Sequence, residues 1–166
     1  MVKVFIVVIL NLFSMYVYSQ EHLPVLDKEL STVEYPFPVK FLPLNSQQEE
    51  LNMAYMDVEP LKSNGKVILL LHGKNFNGAY WEQTIRSLTD SGFRVIVPDQ
   101  IGFGKSSKPQ KYQFSFQQLA ANTKLILEEL KIEKAIVLGH SMGGMLAIRF
   151  SLMYPQLTER LILENP

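Results

Sequence analysis

The sequence contains no cysteine, which excludes disulfide frameworks, thiolate catalysis and cysteine-based metal sites. Histidine is nearly as scarce. Only His22, His72 and His140 occur, too scattered for a histidine-based metal cluster, so no metal is expected. Neither sign of charge dominates: 16 basic residues stand against 16 acidic ones, which leaves no electrostatic handle for nucleic acid or an anionic membrane. Internal repeats and low-complexity tracts are absent as well. What is there is the composition of a globular protein, 47% hydrophobic and 19% charged, in 166 residues, a length that suits one domain with a real core rather than two.

The one long apolar stretch lies at the start. A single Lys3 precedes an apolar run over residues 4–10 that continues through Leu12-Phe13, and Val17-Tyr18-Ser19 leads into the polar Gln20-Glu21. This is the pattern of a secretory signal peptide over residues 1–19, with cleavage expected after Ser19. The run is shorter than the ~20 residues of a membrane span and Asn11 interrupts it, so no stable membrane association is expected after cleavage. The expected destination is secreted or periplasmic. Residues 20–39 are sprinkled with proline and charge, with Tyr35-Pro36-Phe37-Pro38 resisting any regular element, and read as an extended arm.

Residues 40–166 read as the domain. Segments 40–44 and 51–58 flank a polar turn at 45–50, and alternation of Leu51, Met53 and Tyr55 with Asn52 and Ala54 predicts an antiparallel hairpin with one face buried. From Lys66 the rhythm changes. Unbroken apolar runs at 67–71, 94–97, 135–138 and 160–163 have the look of strands buried on both faces. Between them, Trp81, Ile85 and Leu88 predict a helix over about 79–91 that closes at Gly92. Ser115 with Gln118 predicts a capping box for a second helix striped by Phe116, Leu119, Thr123, Leu127 and Leu130. A third starts at Met142 and must stop by Tyr154, because Pro155 cannot continue it. Alternating strands and helices imply an α/β fold: a mostly parallel, doubly wound sheet, here preceded by the antiparallel hairpin.

In such sheets the reacting groups gather at the C-terminal ends of the strands. After the run at 135–138 comes Gly139-His140-Ser141-Met142-Gly143-Gly144, a G-x-S-x-G between strand and helix. The turn brings strand and helix too close for larger side chains at 139 and 143, and it lifts the Ser141 hydroxyl into the open as a candidate nucleophile. The helix N-terminus behind it supplies free N–H groups for an oxyanion, that of Met142 first. After the run at 67–71 comes His72-Gly73-Lys74, where the backbone N–H of Lys74 suits the second oxyanion donor. A third loop runs from Pro98-Asp99 to Gly104-Lys105-Ser106. It fails as a phosphate loop, because Asp99 stands where glycine is needed and Lys108-Pro109 follows instead of a helix; Asp99 and the glycines are expected to shape a tight loop.

The succession Leu70-Leu71-His72-Gly73, Val97-Pro98-Asp99-Gln100-Ile101-Gly102-Phe103-Gly104-Lys105-Ser106 and Gly139-His140-Ser141-Met142-Gly143-Gly144 resembles the α/β-hydrolase superfamily, in the branch of esterases, lipase-like enzymes and carbon–carbon bond hydrolases. The resemblance covers about Lys40 to the end of the chain. It implies attack of Ser141 on the carbonyl of a small ester or related substrate, with proton transfer to a histidine oriented by an acid, through an acyl-enzyme and without a cofactor. Related dehalogenases and epoxide hydrolases carry Asp at the nucleophile position, which Ser141 argues against.

In that family the acid and then the histidine follow the nucleophile along the chain, and no histidine follows Ser141. His22, His72 and His140 read as structural or supporting residues. Glu164, after the run at 160–163, resembles the acid position of some members. The expectation is therefore a fold truncated after about the sixth strand, with the lid segment also beyond it, and a fragment that is inactive alone. The apolar edge at 161–163 would then drive aggregation or dimerisation. The alternative is a non-catalytic hydrolase-like protein that binds a ligand or partner in the same pocket.

Overall fold

The computed structural model describes residues 25–166. The expected signal peptide, its cleavage after Ser19 and His22 lie outside the described residues. Six strands form one mixed sheet in the order β1-β2-β4-β3-β5-β6: β1 Val39–Ser46, β2 Glu49–Val58, β3 Val67–Leu71, β4 Arg94–Pro98, β5 Ala135–His140 and β6 Thr158–Glu164. Strands β3 to β6 pair in parallel, while β1 pairs antiparallel with β2, and β2 antiparallel with β4.

The hairpin is tighter than its polar residues suggested. Asn45 pairs with Glu50 and Ser46 with Glu49, so the turn shrinks to Gln47-Gln48, both with positive φ (53° and 64°). Positive φ at both central residues matches the right-handed twist of the flanking strands. Polar side chains do not prevent pairing at a solvent-facing hairpin end, because the ladder uses only backbone. Nor is just one face of β2 buried. Met53 and Tyr55 pack in one core cluster and Met56 in another on the opposite face, because β2 lies inside the sheet between β1 and β4.

Three α-helices connect the parallel strands: α1 Glu82–Asp90, α2 Phe116–Glu129 and α3 Met142–Met153. Ahead of α1 the chain makes a 3-10 turn over Gly78–Trp81, capped by Asn77, whose side chain accepts the Ala79 N–H. The continuous helix expected from 79 is thus split at Trp81. Ser115 caps α2 by accepting the Gln118 N–H at 3.1 Å. The reciprocal half of the expected box is missing, because the Gln118 amide reaches forward to Asn122. Leu119, Ile126 and Leu127 of α2 and Leu146, Ala147 and Phe150 of α3 share one core cluster. Trp81 and Ile85 lie in the cluster on the other face. The sheet is therefore wound on both sides, and the winding reverses between β3 and β5, which are adjacent strands. Their C-terminal ends open the crevice where ligands bind in such folds.

Candidate active site

Ser141 sits between the end of β5 and the first turn of α3 with φ 52° and ψ −123°, a backbone conformation that side-chain-bearing residues rarely adopt. The glycines around it are required by backbone, not side chains. A Cβ at Gly139 would stand 2.0 Å from the Gly143 carbonyl oxygen, and one at Gly143 would stand 2.1 Å from that of Leu71. Three hydrogen bonds hold the turn: the Ser141 N–H donates to the Glu164 carbonyl at 3.0 Å, and the Ser141 carbonyl accepts from Gly144 at 2.7 Å and Met145 at 3.3 Å.

The loop after β3 lies against this elbow. A Cβ built on Gly73 would come within 3.4 Å of the Ser141 Cβ and 3.2 Å of His140 Nδ1, and one on Gly143 within 2.7 Å of the His72 carbonyl oxygen. Among the described residues, neither the Lys74 N–H nor the Met142 N–H donates to a protein acceptor. Both expected donors are thereby free in neighbouring turns, one of them at the N-terminus of α3, where the helix dipole favours negative charge.

The histidines occupy other roles. His72 is fully buried, with Nδ1 2.8 Å from the Gly73 carbonyl oxygen and Nε2 accepting the Gln100 N–H at 3.0 Å. That pattern fits a neutral imidazole protonated on Nδ1. Burial pushes its pKa down, against the opposing pull of the Gly73 carbonyl and the charge of Asp99. The Nδ1 of His140 lies 3.3 Å from the Tyr80 hydroxyl, and its ring meets Trp81 edge-on at 6.4 Å. Among the described residues no histidine hydrogen-bonds the Ser141 hydroxyl. Glu164 ends β6 opposite His140 with an exposed side chain.

The loop after β4 is organised by Asp99, which is buried and accepts from the Gly78 N–H (2.6 Å), the Lys105 N–H (2.7 Å) and the Tyr35 hydroxyl (2.7 Å). Ser106 Oγ is engaged between the Asp99 carbonyl and the Ala54 N–H, and Lys105 Nζ donates to the Leu30 carbonyl. These groups tie the arm and loops together, in keeping with the structural role expected for Asp99. Beyond this loop, Gly102, Phe103, Phe114, Phe116, Leu119 and Met142 line a cavity of about 370 Å³ that borders the elbow through Met142.

The sequence did not mark Tyr80, Phe103 or Phe114 for the site. Tyr80 accepts the Gly73 N–H at 3.3 Å, and burial, followed by the charge of Glu164, pushes its phenol up to about 12 despite the Gly73 contact. Phe114 and Phe116, on either side of the capping Ser115, were the available signal for the cavity wall.

The alpha/beta hydrolase fold family model matches residues 66–166. The chain belongs to this family. Among solved structures, this alpha/beta hydrolase is similar to a probable hydrolytic enzyme from Pseudomonas aeruginosa PAO1, with 56% identity and a TM-score of 0.83 over 84% of this chain and 45% of that one. It is also similar to a meta-cleavage product hydrolase from Pseudomonas fluorescens IP01, with 34% identity and a TM-score of 0.59 over 67% and 40% of the two chains. A haloalkane dehalogenase from Mycolicibacterium paratuberculosis is 31% identical over 134 residues, 80% of this chain and 44% of the relative. The chain spans less than half the length of each of these relatives.

Proposed function

We propose that this alpha/beta hydrolase is a serine hydrolase acting on a small ester or related carbonyl substrate, exported from the cytoplasm by its N-terminal segment. The observation that carries the reading is the strained Ser141, lifted out of a strand–turn–helix by glycines at 139 and 143. The Ser141 oxygen attacks the carbonyl carbon, and the Met142 and Lys74 N–H groups receive the developing oxyanion. The leaving group departs with a proton, and water then cleaves the acyl-enzyme. The base is a histidine other than His22, His72 and His140; both ring nitrogens of His72, and the Nδ1 of His140, are engaged elsewhere. Glu164 is the candidate acid within this chain. Serine at the elbow separates the reading from the displacement chemistry of dehalogenases. The apolar cavity beside Met142 favours an uncharged substrate group.

Fluorophosphonate labelling of the whole protein tests the proposal: the adduct should map to Ser141 and vanish in Ser141→Ala. The absence, among the described residues, of any histidine on the Ser141 hydroxyl favours one second reading, a non-catalytic binding protein that uses the same cavity. Saturable binding of an uncharged ester, with no labelling, would decide for it.

A further inference from the structure

The His72 ring and the Lys74 N–H are linked by a single peptide unit. The His72 Nδ1 lies 2.8 Å from the carbonyl oxygen of Gly73, and that carbonyl belongs to the same peptide group as the Lys74 N–H. There are no cis peptide bonds among the described residues, so this group is planar and trans, and its C=O and N–H point in opposite directions. Whatever fixes the carbonyl therefore aims the N–H.

We infer that His72 is a positioning residue, a buried clamp whose Nδ1–H holds the Gly73 carbonyl and so directs the Lys74 N–H toward the carbonyl oxygen of a substrate at Ser141. The inference rests on the proposed oxyanion role of Lys74. The clamp is anchored on its far side, because Nε2 accepts the Gln100 N–H and the Gln100 side chain bonds Thr123 on α2. Two further contacts brace the same glycine: the Phe76 N–H donates to its carbonyl at 3.3 Å, and its own N–H donates to the Tyr80 hydroxyl at 3.3 Å. Neither can replace the imidazole, since both are longer and the Phe76 bond closes a turn through Asn75 at φ 66°. The neutral, Nδ1-protonated ring serves both neighbours at once; the opposite tautomer would set lone pair against carbonyl and N–H against N–H.

Two substitutions separate the clamp from a merely structural histidine. In His72→Asn the amide nitrogen overlays Nδ1 and keeps the bond to Gly73, while the acceptor for Gln100 is lost. In His72→Gln the amide oxygen overlays Nε2 and keeps Gln100, while the bond to Gly73 is lost. The expected result is a Lys74 amide resonance that stays near its native position in His72→Asn and moves in His72→Gln. Labelling of Ser141 by a fluorophosphonate should fall about tenfold or more in His72→Gln and no more than about threefold in His72→Asn, a part of the cost of losing a whole oxyanion donor. Equal effects in the two variants, or a larger one in His72→Asn, overturn the clamp. Should either variant fail to fold, long-range proton–nitrogen correlation on the native protein decides, since an Nε2-protonated His72 overturns the clamp and an Nδ1-protonated one upholds it. A whole protein that resists the probe, while Lys74 still follows the Nδ1-side donor, overturns the serine-hydrolase reading and leaves the clamp standing.

Discussion

The backbone N–H of Ser141 donates to the carbonyl of Glu164 at 3.0 Å, so the end of β6 restrains a residue held at φ 52° and ψ −123°. A conformation of this kind costs of order 1–3 kcal/mol and persists only when its surroundings over-determine it. Glycine adopts it freely, although it loses about 0.5–1 kcal/mol through the entropy of the unfolded chain. Ser141→Gly should therefore be more stable than Ser141→Ala by about 1 kcal/mol, read as a higher urea midpoint at equal slope. A Ser141→Gly midpoint below that of Ser141→Ala, by about the 0.5–1 kcal/mol that glycine loses to entropy, would mean that the elbow stores no strain.

At Gly139 and Gly143 the sign reverses. An added methyl would meet backbone oxygens at 2.0 and 2.1 Å, and no rotamer change can relieve a clash with main chain. Either glycine-to-alanine change should cost about 3 kcal/mol or more, at or beyond the upper end of ordinary overpacking. Denaturant unfolding checks this, and a loss below about 1 kcal/mol would show that β3, β5 and α3 have room to separate.

These positions mark what the sequence could reveal. The apolar run at 67–71 became β3 with the same bounds, because a strand buried on both faces needs an apolar residue at every step. The elbow was legible for a related reason, since only glycine fits where strand and helix touch. Polar Asn45, Ser46, Glu49 and Glu50 hid the ends of β1 and β2, because backbone pairing leaves no trace in side chains at a solvent-facing turn. The clustering around Asp99 was illegible for another cause. It joins Tyr35, Gly78 and Lys105, which are distant along the chain, and no local pattern announces such a meeting.

Acid should weaken the fold through His72 before it acts through the carboxylates. Burial holds the folded pKa of His72 below its ordinary 6.5, so the unfolded chain binds the extra proton first. The stabilisation is complete above about pH 6.5 and is lost as pH falls below it toward the folded value. Asp57 behaves differently. Burial pushes its carboxyl up, but the hydrogen bonds and charges of Arg94 and Lys40 outweigh that and hold it below 3.8, so its contribution is lost only in stronger acid. Stability measured from pH 7.5 to 5 should decline in the native protein and decline less in His72→Asn. Parallel curves would remove His72 as the cause.

The free edge of the sheet leads to the last expectation. Among the described residues strand β6 has a neighbour on one side only, and Leu161, Ile162 and Leu163 are 40%, 44% and 40% exposed, so both faces of the strand are half bare. Exposed Met145 and Leu152 on α3 add to the apolar surface. Unpaired N–H and C=O groups flanked by such side chains form a template for pairing with another strand, and a lysine placed inside the apolar run 161–163 should discourage it. Sedimentation velocity should show the described domain self-associating with rising concentration, and Ile162→Lys should shift it toward monomer. Leu61 is the control: it is wholly exposed but sits in a loop away from the edge, and isolated apolar residues on a surface are ordinary. If Leu61→Lys shifts the distribution as much as Ile162→Lys does, general hydrophobicity and not the β6 edge drives the association.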